Sequence, residues 1–180
     1  MNDRLIQKLK KIKLIISDVD GVLTDGSIYI GSNGEEMKKF SVEDGAGVAL
    51  ARASGLIIAL LSGRFSFATD IRAKELKIED IYNGMLNKIP AYEELKRKYN
   101  LEDSEIVYIG DGLIDIPVME KAGIPVSVKS AHPTAKETAV YVTDKSGGSG
   151  ALQEIIELVL KAQNQYDDAI NKMREKVLNL

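Results

Sequence analysis

Three short apolar runs in this chain each stop abruptly at a polar residue, and this pattern restricts the available folds more than any other feature. Leu14 to Ser17 (LIIS) end at Asp18, Leu56 to Leu61 end at Ser62-Gly63-Arg64, and Ile106 to Ile109 end at Gly110-Asp111-Gly112. Brief aliphatic, β-branched runs bounded by turn signals read as strands buried on both faces. Stretches of helical character separate them. Asp44 is expected to cap a helix over Gly45 to Ala53, with Gly55 closing it. Further helices are expected from Phe65 to Leu76, from Lys88 to about Tyr99 and from Ile114 to Lys121. Short strands near Asp80 to Tyr82, Val126 to Val128 and Ala139 to Val142 complete the alternation. Strands alternating with helices predict an α/β fold, a Rossmann-like doubly wound parallel sheet with ligands at its carboxyl edge.

One segment breaks the alternation. Ser27 to Ile30 and Glu36 to Ser41 flank Gly31-Ser32-Asn33-Gly34, and Asn-Gly between extended runs predicts a projecting hairpin over 27–41. Glu35, Glu36, Lys38 and Lys39 read as its solvated charges, and Tyr29 and Phe40 as interface or core residues. Ser146 to Gly150 reads as a Gly-rich loop, and His132, in Ala131-His132-Pro133, as a loop or capping residue. From Ala151 a long amphipathic helix is expected to run towards the end of the chain. Its apolar stripe would be Leu152, Ile155, Ile156, Val159, Tyr166, Ile170, Met173 and Val177, packed either on its own domain or on a neighbour.

Composition narrows the chemistry. The chain of 180 residues shows no internal repeat and no linker, so one domain over residues 1–180 is expected. It has no Cys, which excludes disulfides, thiol catalysis and Cys-built zinc sites. His132 is its single imidazole. No apolar run approaches the roughly 20 residues of a spanning helix, and Met1 to Lys13 lacks the apolar core of a signal peptide. A net charge of −3 argues against a nucleic-acid partner. Carboxylate chemistry remains, with 27 acids to draw on.

Asp18 and Asp20 flank Val19 just past a strand, and Gly21 lets the chain turn away. One carboxylate could attack phosphorus while the other moves a proton. Such crowding of negative charge calls for a cation, and oxygen ligands select Mg²⁺. Asp111 is the natural further ligand, with Asp115 four residues on along the same face. Ser62 could donate to a phosphoryl oxygen, and Lys88 could offset its charge. Taken singly, these acids and Ser62 also read as caps or turn residues, and Lys88 as a solvated lysine. The interval from Asp18 to Ser62 and that from Ser62 to Lys88 leave no room for a separate lid of about 50 residues. A neighbouring subunit is therefore expected to complete the site.

The ordered set Asp18-Val19-Asp20-Gly21, Ser62, Lys88 and Gly110-Asp111 with Asp115 resembles the four motifs of the haloacid dehalogenase superfamily. The phrases DVDGVLTDG, NGEEMKKFSVEDGAGV, SGR, GDGLIDIPVM and GGSGAL are similar to its capless phosphatases of phosphorylated sugar acids, over roughly Leu14 to Ala162. The resemblance implies that Asp18 is a nucleophile forming an aspartyl-phosphate, and that Asp20 protonates the leaving alcohol and then activates water. It implies Mg²⁺ held by Asp18, the main-chain carbonyl of Asp20 and Asp111, with Asp115 supporting the metal shell. Ser62 and Lys88 would hold phosphoryl oxygens. The sugar acid would meet Asp20, Ser41, Val42, Glu43, Asp44, Gly45, Gly63, Arg64, Arg72 and Lys88, with the two guanidiniums suited to a carboxylate; Arg72 reads equally as a surface arginine. An eight-carbon sugar acid is the first substrate implied, and a nine-carbon nonulosonate phosphate or another small sugar phosphate the alternative. The resemblance also implies a cytoplasmic homotetramer serving lipopolysaccharide biosynthesis. The chain departs from the family pattern at Glu43, Ala49, Ser149 and Gln153, where basic residues are frequent, and at Gly112, where a second acid is. The alternatives from other classes are a phospho-receiver, which also places acids, a hydroxyl residue and a lysine around a phosphorylatable Asp with Mg²⁺, and a non-catalytic oligomerisation module that retains the motifs.

Overall fold

The computed structural model describes residues 3–178. Along the chain run α1 (Asp3–Leu9), β1 (Leu14–Ser17), β2 (Tyr29–Ile30), β3 (Glu36–Met37), α2 (Val42–Ser54), β4 (Ile57–Ser62), α3 (Phe67–Leu76), β5 (Asp80–Asn83), α4 (Ile89–Lys98), β6 (Ile106–Gly110), α5 (Ile116–Met119), β7 (Ile124–Ser127), α6 (Pro133–Thr138), β8 (Tyr141–Val142), α7 (Ala151–Ala162) and α8 (Tyr166–Leu178). Six strands form one parallel sheet in the order β5-β4-β1-β6-β7-β8, and β2 and β3 form a separate antiparallel pair. The order reverses at β1, whose neighbours are β4 and β6. Every residue of β1 and β6 is buried, as expected where helices cover both faces. A crevice outside the carboxyl ends of β1, β4 and β6 follows from that topology.

Several boundaries differ from the expectation, each for a local reason. Asp44 is not the cap of α2: Ser41 is, its hydroxyl accepting from the Glu43 amide at 3.1 Å. The helix therefore starts at Val42, and Asp44 lies inside its first turn, buried. Leu113–Asp115 form a 3₁₀ turn, and α5 is shorter than the span from Ile114 to Lys121, because Pro117 belongs in a first turn where no amide is needed. The long C-terminal helix is two helices. Asn164 takes φ 56°, a left-handed conformation that Asn tolerates, and the Gln163 amide group donates to the carbonyls of Leu9 and Ile12. The stripe packs on its own core: Leu152, Ile155, Ile156, Val159 and Leu160 are buried, and Tyr166, Ile170 and Met173 lie against them. The Val177 side chain lies outside the described residues. Two short helices, α1 and α6, were unmarked by periodicity; His132 caps α6, its Nδ1 accepting from Thr134 at 3.2 Å.

The hairpin is real but small. Its strands are two residues each, pairing Tyr29 with Met37 and Ile30 with Glu36, and Ile28, Tyr29, Ile30 and Met37 are exposed. Among the described residues no helix is long and apolar enough to cross a membrane.

Candidate active site

Three strand ends deliver the charged groups. At the end of β1 the Asp18 amide donates to Ile109 of β6 at 2.9 Å, so the residue stays fastened to the sheet where the strand stops. Its Oδ1 accepts from the Val19 amide at 2.7 Å. The chain then reverses: the amides of Val22, Leu23 and Thr24 converge on the Val19 carbonyl, and Gly21 takes φ 90°. A Cβ at Gly21 would lie 2.1 Å from Asp111 Oδ2, so only glycine lets this loop rest on the carboxylate at the end of β6.

Asp115 closes the turn after β6. Its Oδ2 accepts from the amides of Asp111 (3.0 Å) and Gly112 (2.9 Å), and its Oδ1 accepts from the Tyr108 hydroxyl (2.6 Å) and Lys88 Nζ (2.7 Å). Lys88, just before α4 and buried, also stands 2.8 Å from Asp18 Oδ1 and 3.1 Å from the Tyr108 hydroxyl. Burial raises Asp18, and Asp115 adds to the shift against the pull of Lys88, to about 8. Burial and Asp115 likewise raise Asp111 to about 6. For Lys88, burial opposes the charge, but Asp18 and Asp115 together win and its pKa is raised. Burial, then Asp115, pushes Tyr108 well above its ordinary value.

One lysine thus faces three carboxylates, and the local field lacks positive charge. Oxygens of Asp18, Asp111 and Asp115 lie within 4.8 Å of one another. Asp115 is already engaged by four donors, which leaves Asp18 and Asp111 as the available ligands. An all-oxygen set of this charge fits Mg²⁺.

The remaining predicted residues fall into two groups by their contacts. Asp20 sits on the same loop, its carboxylate held by Lys38. Ser62 ends β4, buried, with its hydroxyl donating to the Arg64 carbonyl at 2.8 Å and its carbonyl accepting from the amides of Gly84 and Met85. Gly63 packs on Ile114, whose Cδ1 lies 2.7 Å from where a Cβ would stand. Arg64 is half exposed and paired with Glu36. Arg72 is no free surface arginine: it donates to the Ser41 carbonyl at 3.0 Å and to Glu75 at 2.9 Å, and covers the Phe40 ring.

The segment from Ser41 to Gly45 divides. Val42 is largely exposed and Glu43 is exposed, whereas Asp44 turns inward and accepts from the amide of Gln153 at 3.1 Å. Burial raises Asp44 to about 6, while the amides of Gln153, Gly150 and Leu152 draw it down. Gly45 lies against Arg72. At the departures from the family pattern, Glu43 is paired with Lys145 at 2.7 Å, and Lys145 also reaches Gln153 at 3.3 Å. Gly112 contributes an amide where a second acid is frequent.

Two expectations for the hairpin are overturned. Glu36 and Lys38 are not solvated charges: the Lys38 side chain is wholly buried against Asp20, and Glu36 bonds both Arg64 and Ser66. Their spacing of two residues along an extended chain, which puts both on one face, was the available signal. Tyr108 was missed for a different reason. It lies in an apolar strand buried on both faces, where alternation carries no information.

A family profile of haloacid dehalogenase-like hydrolases matches residues 51–155. The 3-deoxy-D-manno-octulosonate 8-phosphate phosphatase of Escherichia coli (strain K12) is 44% identical over 165 residues, covering 92% of this chain and 88% of the relative. A solved structure of the phosphatase of that name from Moraxella catarrhalis, in complex with magnesium ion, phosphate ion and KDO, is 42% identical with a TM-score of 0.92, covering 96% of this chain and 99% of that one. A hydrolase of the same superfamily (subfamily III A) from Legionella pneumophila superposes with a TM-score of 0.94 at 40% identity, covering 96% and 95%.

Proposed function

The chain belongs to the haloacid dehalogenase-like hydrolases, and on that premise we propose that it is a Mg²⁺-dependent phosphatase of 3-deoxy-D-manno-octulosonate 8-phosphate, working through an aspartyl-phosphate. The observation that carries the reading is the cluster of Asp18, Asp111 and Asp115 around Lys88 at the carboxyl ends of β1 and β6.

When bound by Asp18, the Asp20 carbonyl and Asp111, Mg²⁺ supplies the positive charge that keeps Asp18 ionised and screens the phosphoryl oxygens. An Asp18 carboxylate oxygen then attacks phosphorus, the bond to the sugar oxygen breaks, and Asp20 gives its proton to that oxygen. Asp20, now ionised, takes a proton from water as the water oxygen attacks the aspartyl-phosphate, releasing phosphate and restoring both acids. Lys88 anchors Asp18 and lends charge to the equatorial oxygens, while Ser62 and its neighbouring amides hold them. Arg64 and Arg72 would meet the sugar carboxylate, a role supported by the family resemblance and by the guanidinium fork. Glu43 does not spoil the site for an acid, because Lys145 neutralises it.

The chain acts as one phosphatase domain in the cytoplasm, and its apolar hairpin face, Ile28, Tyr29, Ile30 and Met37, meets its copies in a homotetramer that completes the crevice. Sedimentation equilibrium giving a monomer would remove that part of the reading. For the chemistry, Asp18→Asn is expected to abolish phosphate release while the protein stays folded; retained turnover sinks the mechanism. Rates on eight-carbon, nine-carbon and hexose phosphates decide the substrate, with the eight-carbon acid expected to lead.

A further inference from the structure

Glu36, in β3, and Lys38, one residue beyond its end, turn to the same side, since alternate residues of an extended chain point the same way. Met37, between them, faces solvent. The charged face turns into the crevice. Lys38 Nζ stands 2.7 Å and 2.9 Å from the two carboxylate oxygens of Asp20, with Thr69 Oγ1 of α3 at 3.4 Å and Glu36 Oε1 at 3.8 Å. Its side chain has no exposed surface, although lysine is among the residues least often buried. Glu36 fixes the strand that carries it by bonding Arg64 and accepting from Ser66 Oγ at 2.6 Å. The site therefore has two buried lysines with separate duties. Lys88 answers Asp18 and Asp115, and Lys38 answers Asp20.

Asp20 needs such a partner. It lies on a loop that reverses at Gly21, and among the described residues its carboxylate has no main-chain donor; the contacts that hold it come from Lys38. A proton donor must stand within hydrogen-bond reach of the leaving oxygen, and a displacement of about 1 Å costs on the order of 10²-fold in rate. We propose that Lys38 is a positioning residue that holds the Asp20 carboxylate at the reacting centre and acts on catalysis only through it. The proposal deepens the phosphatase reading above and rests on it.

The test is a double-mutant cycle on phosphate release from 3-deoxy-D-manno-octulosonate 8-phosphate with Mg²⁺, using Lys38→Met, Asp20→Asn and both together. Lys38→Met is expected to lower kcat by about 10²-fold with KM little changed. Lys38→Arg should recover most of that loss. Combined with Asp20→Asn, Lys38→Met should cost nothing further, because its route of action is already gone. Additive losses, or a raised KM at unchanged kcat, would show Lys38 acting on substrate directly and overturn the proposal. A crystal structure of Lys38→Met gives a readout independent of turnover: the Asp20 side chain is expected to leave its position, and an unmoved Asp20 also overturns the proposal. A wild-type protein that releases no phosphate from any sugar phosphate refutes the phosphatase reading instead, and the crystal structure still decides whether Lys38 places Asp20. If Lys38→Met fails to fold, Lys38→Gln, which keeps a polar head, takes its place in both experiments.

Discussion

Gly147 lies against the loop that carries Asp20, and adding one methyl group there should damage catalysis from outside the site. A Cβ on Gly147 would stand 1.8 Å from the Gly21 carbonyl oxygen, 2.5 Å from its carbon and 2.8 Å from the Thr24 carbonyl oxygen. Ordinary contact begins near 3.4 Å, so the two backbones must part by about 1.6 Å. All three atoms are main chain, which cannot swing aside as a side chain can. The Gly147 backbone itself is not left-handed, so the clash is the whole effect. The Gly148 amide donates to the Val22 carbonyl at 2.9 Å and the Gly147 amide to Ser130 Oγ at 3.1 Å, so the displacement is resisted from both sides. Overpacking of this kind costs about 1–3 kcal/mol, and a shift above 1 Å next to Asp20 costs on the order of 10²-fold in kcat/KM. Urea unfolding and phosphate release measure the two. Gly55→Ala is the control: Gly55 has φ 83° with open space around it, at the far end of the sheet, so it should lose about 1 kcal/mol and no activity. Wild-type kcat/KM in Gly147→Ala, or equal losses in both variants, would refute the reasoning.

Lys88→Met should destabilise the chain by about 3–5 kcal/mol, because it leaves Asp18 and Asp115 buried without their cation; a melting temperature unchanged from wild type would contradict that. Asp44 has a folded value of about 6, above its ordinary 3.8, so the native chain holds the proton more tightly than the unfolded one. Its contribution is full below about 4 and lost as pH rises through 6, a difference of up to about 3 kcal/mol. Asp44→Asn, with no such proton to lose, should gain on wild type by that order between pH 4.5 and 7.5 in denaturant midpoints; a gap that does not vary with pH counts against it. Adding Mg²⁺ at 100 times its Kd should stabilise the protein by about 2.7 kcal/mol, reversed by chelator, and Asp111→Asn should weaken that response. An equal response in the variant would remove Asp111 from the ligand set.

Much of the site was legible because its chemistry is tied to strand ends. Asp18, Ser62 and Asp111 follow apolar runs that can only be buried strands, and a parallel sheet brings such ends together. Lys88 was legible at the head of a helix, but its burial was not, since a lysine there is solvated unless a carboxylate pair waits for it. Asp44 was misread for a similar reason. Asp44 has the local look of a cap, yet Ser41 was the better-placed acceptor, and the Asp44 carboxylate instead meets the amides that open α7, 109 positions away along the chain. The Gly-rich loop was legible as a loop, but its packing on the backbone of Gly21 and Thr24 was not.

Local sequence alone determined the elements whose cause is local: the buried strands, the hairpin turn at Asn33-Gly34, the stop of α2 at Gly55, and the acids at the rim of the sheet. Tertiary structure decided which charges answer one another. Lys38 to Asp20, Glu36 to Arg64, Tyr108 to Asp115 and Glu43 to Lys145 are contacts between segments distant in the chain or on different elements. No periodicity encodes such pairs, because a charge leaves water only where the fold has already placed its partner.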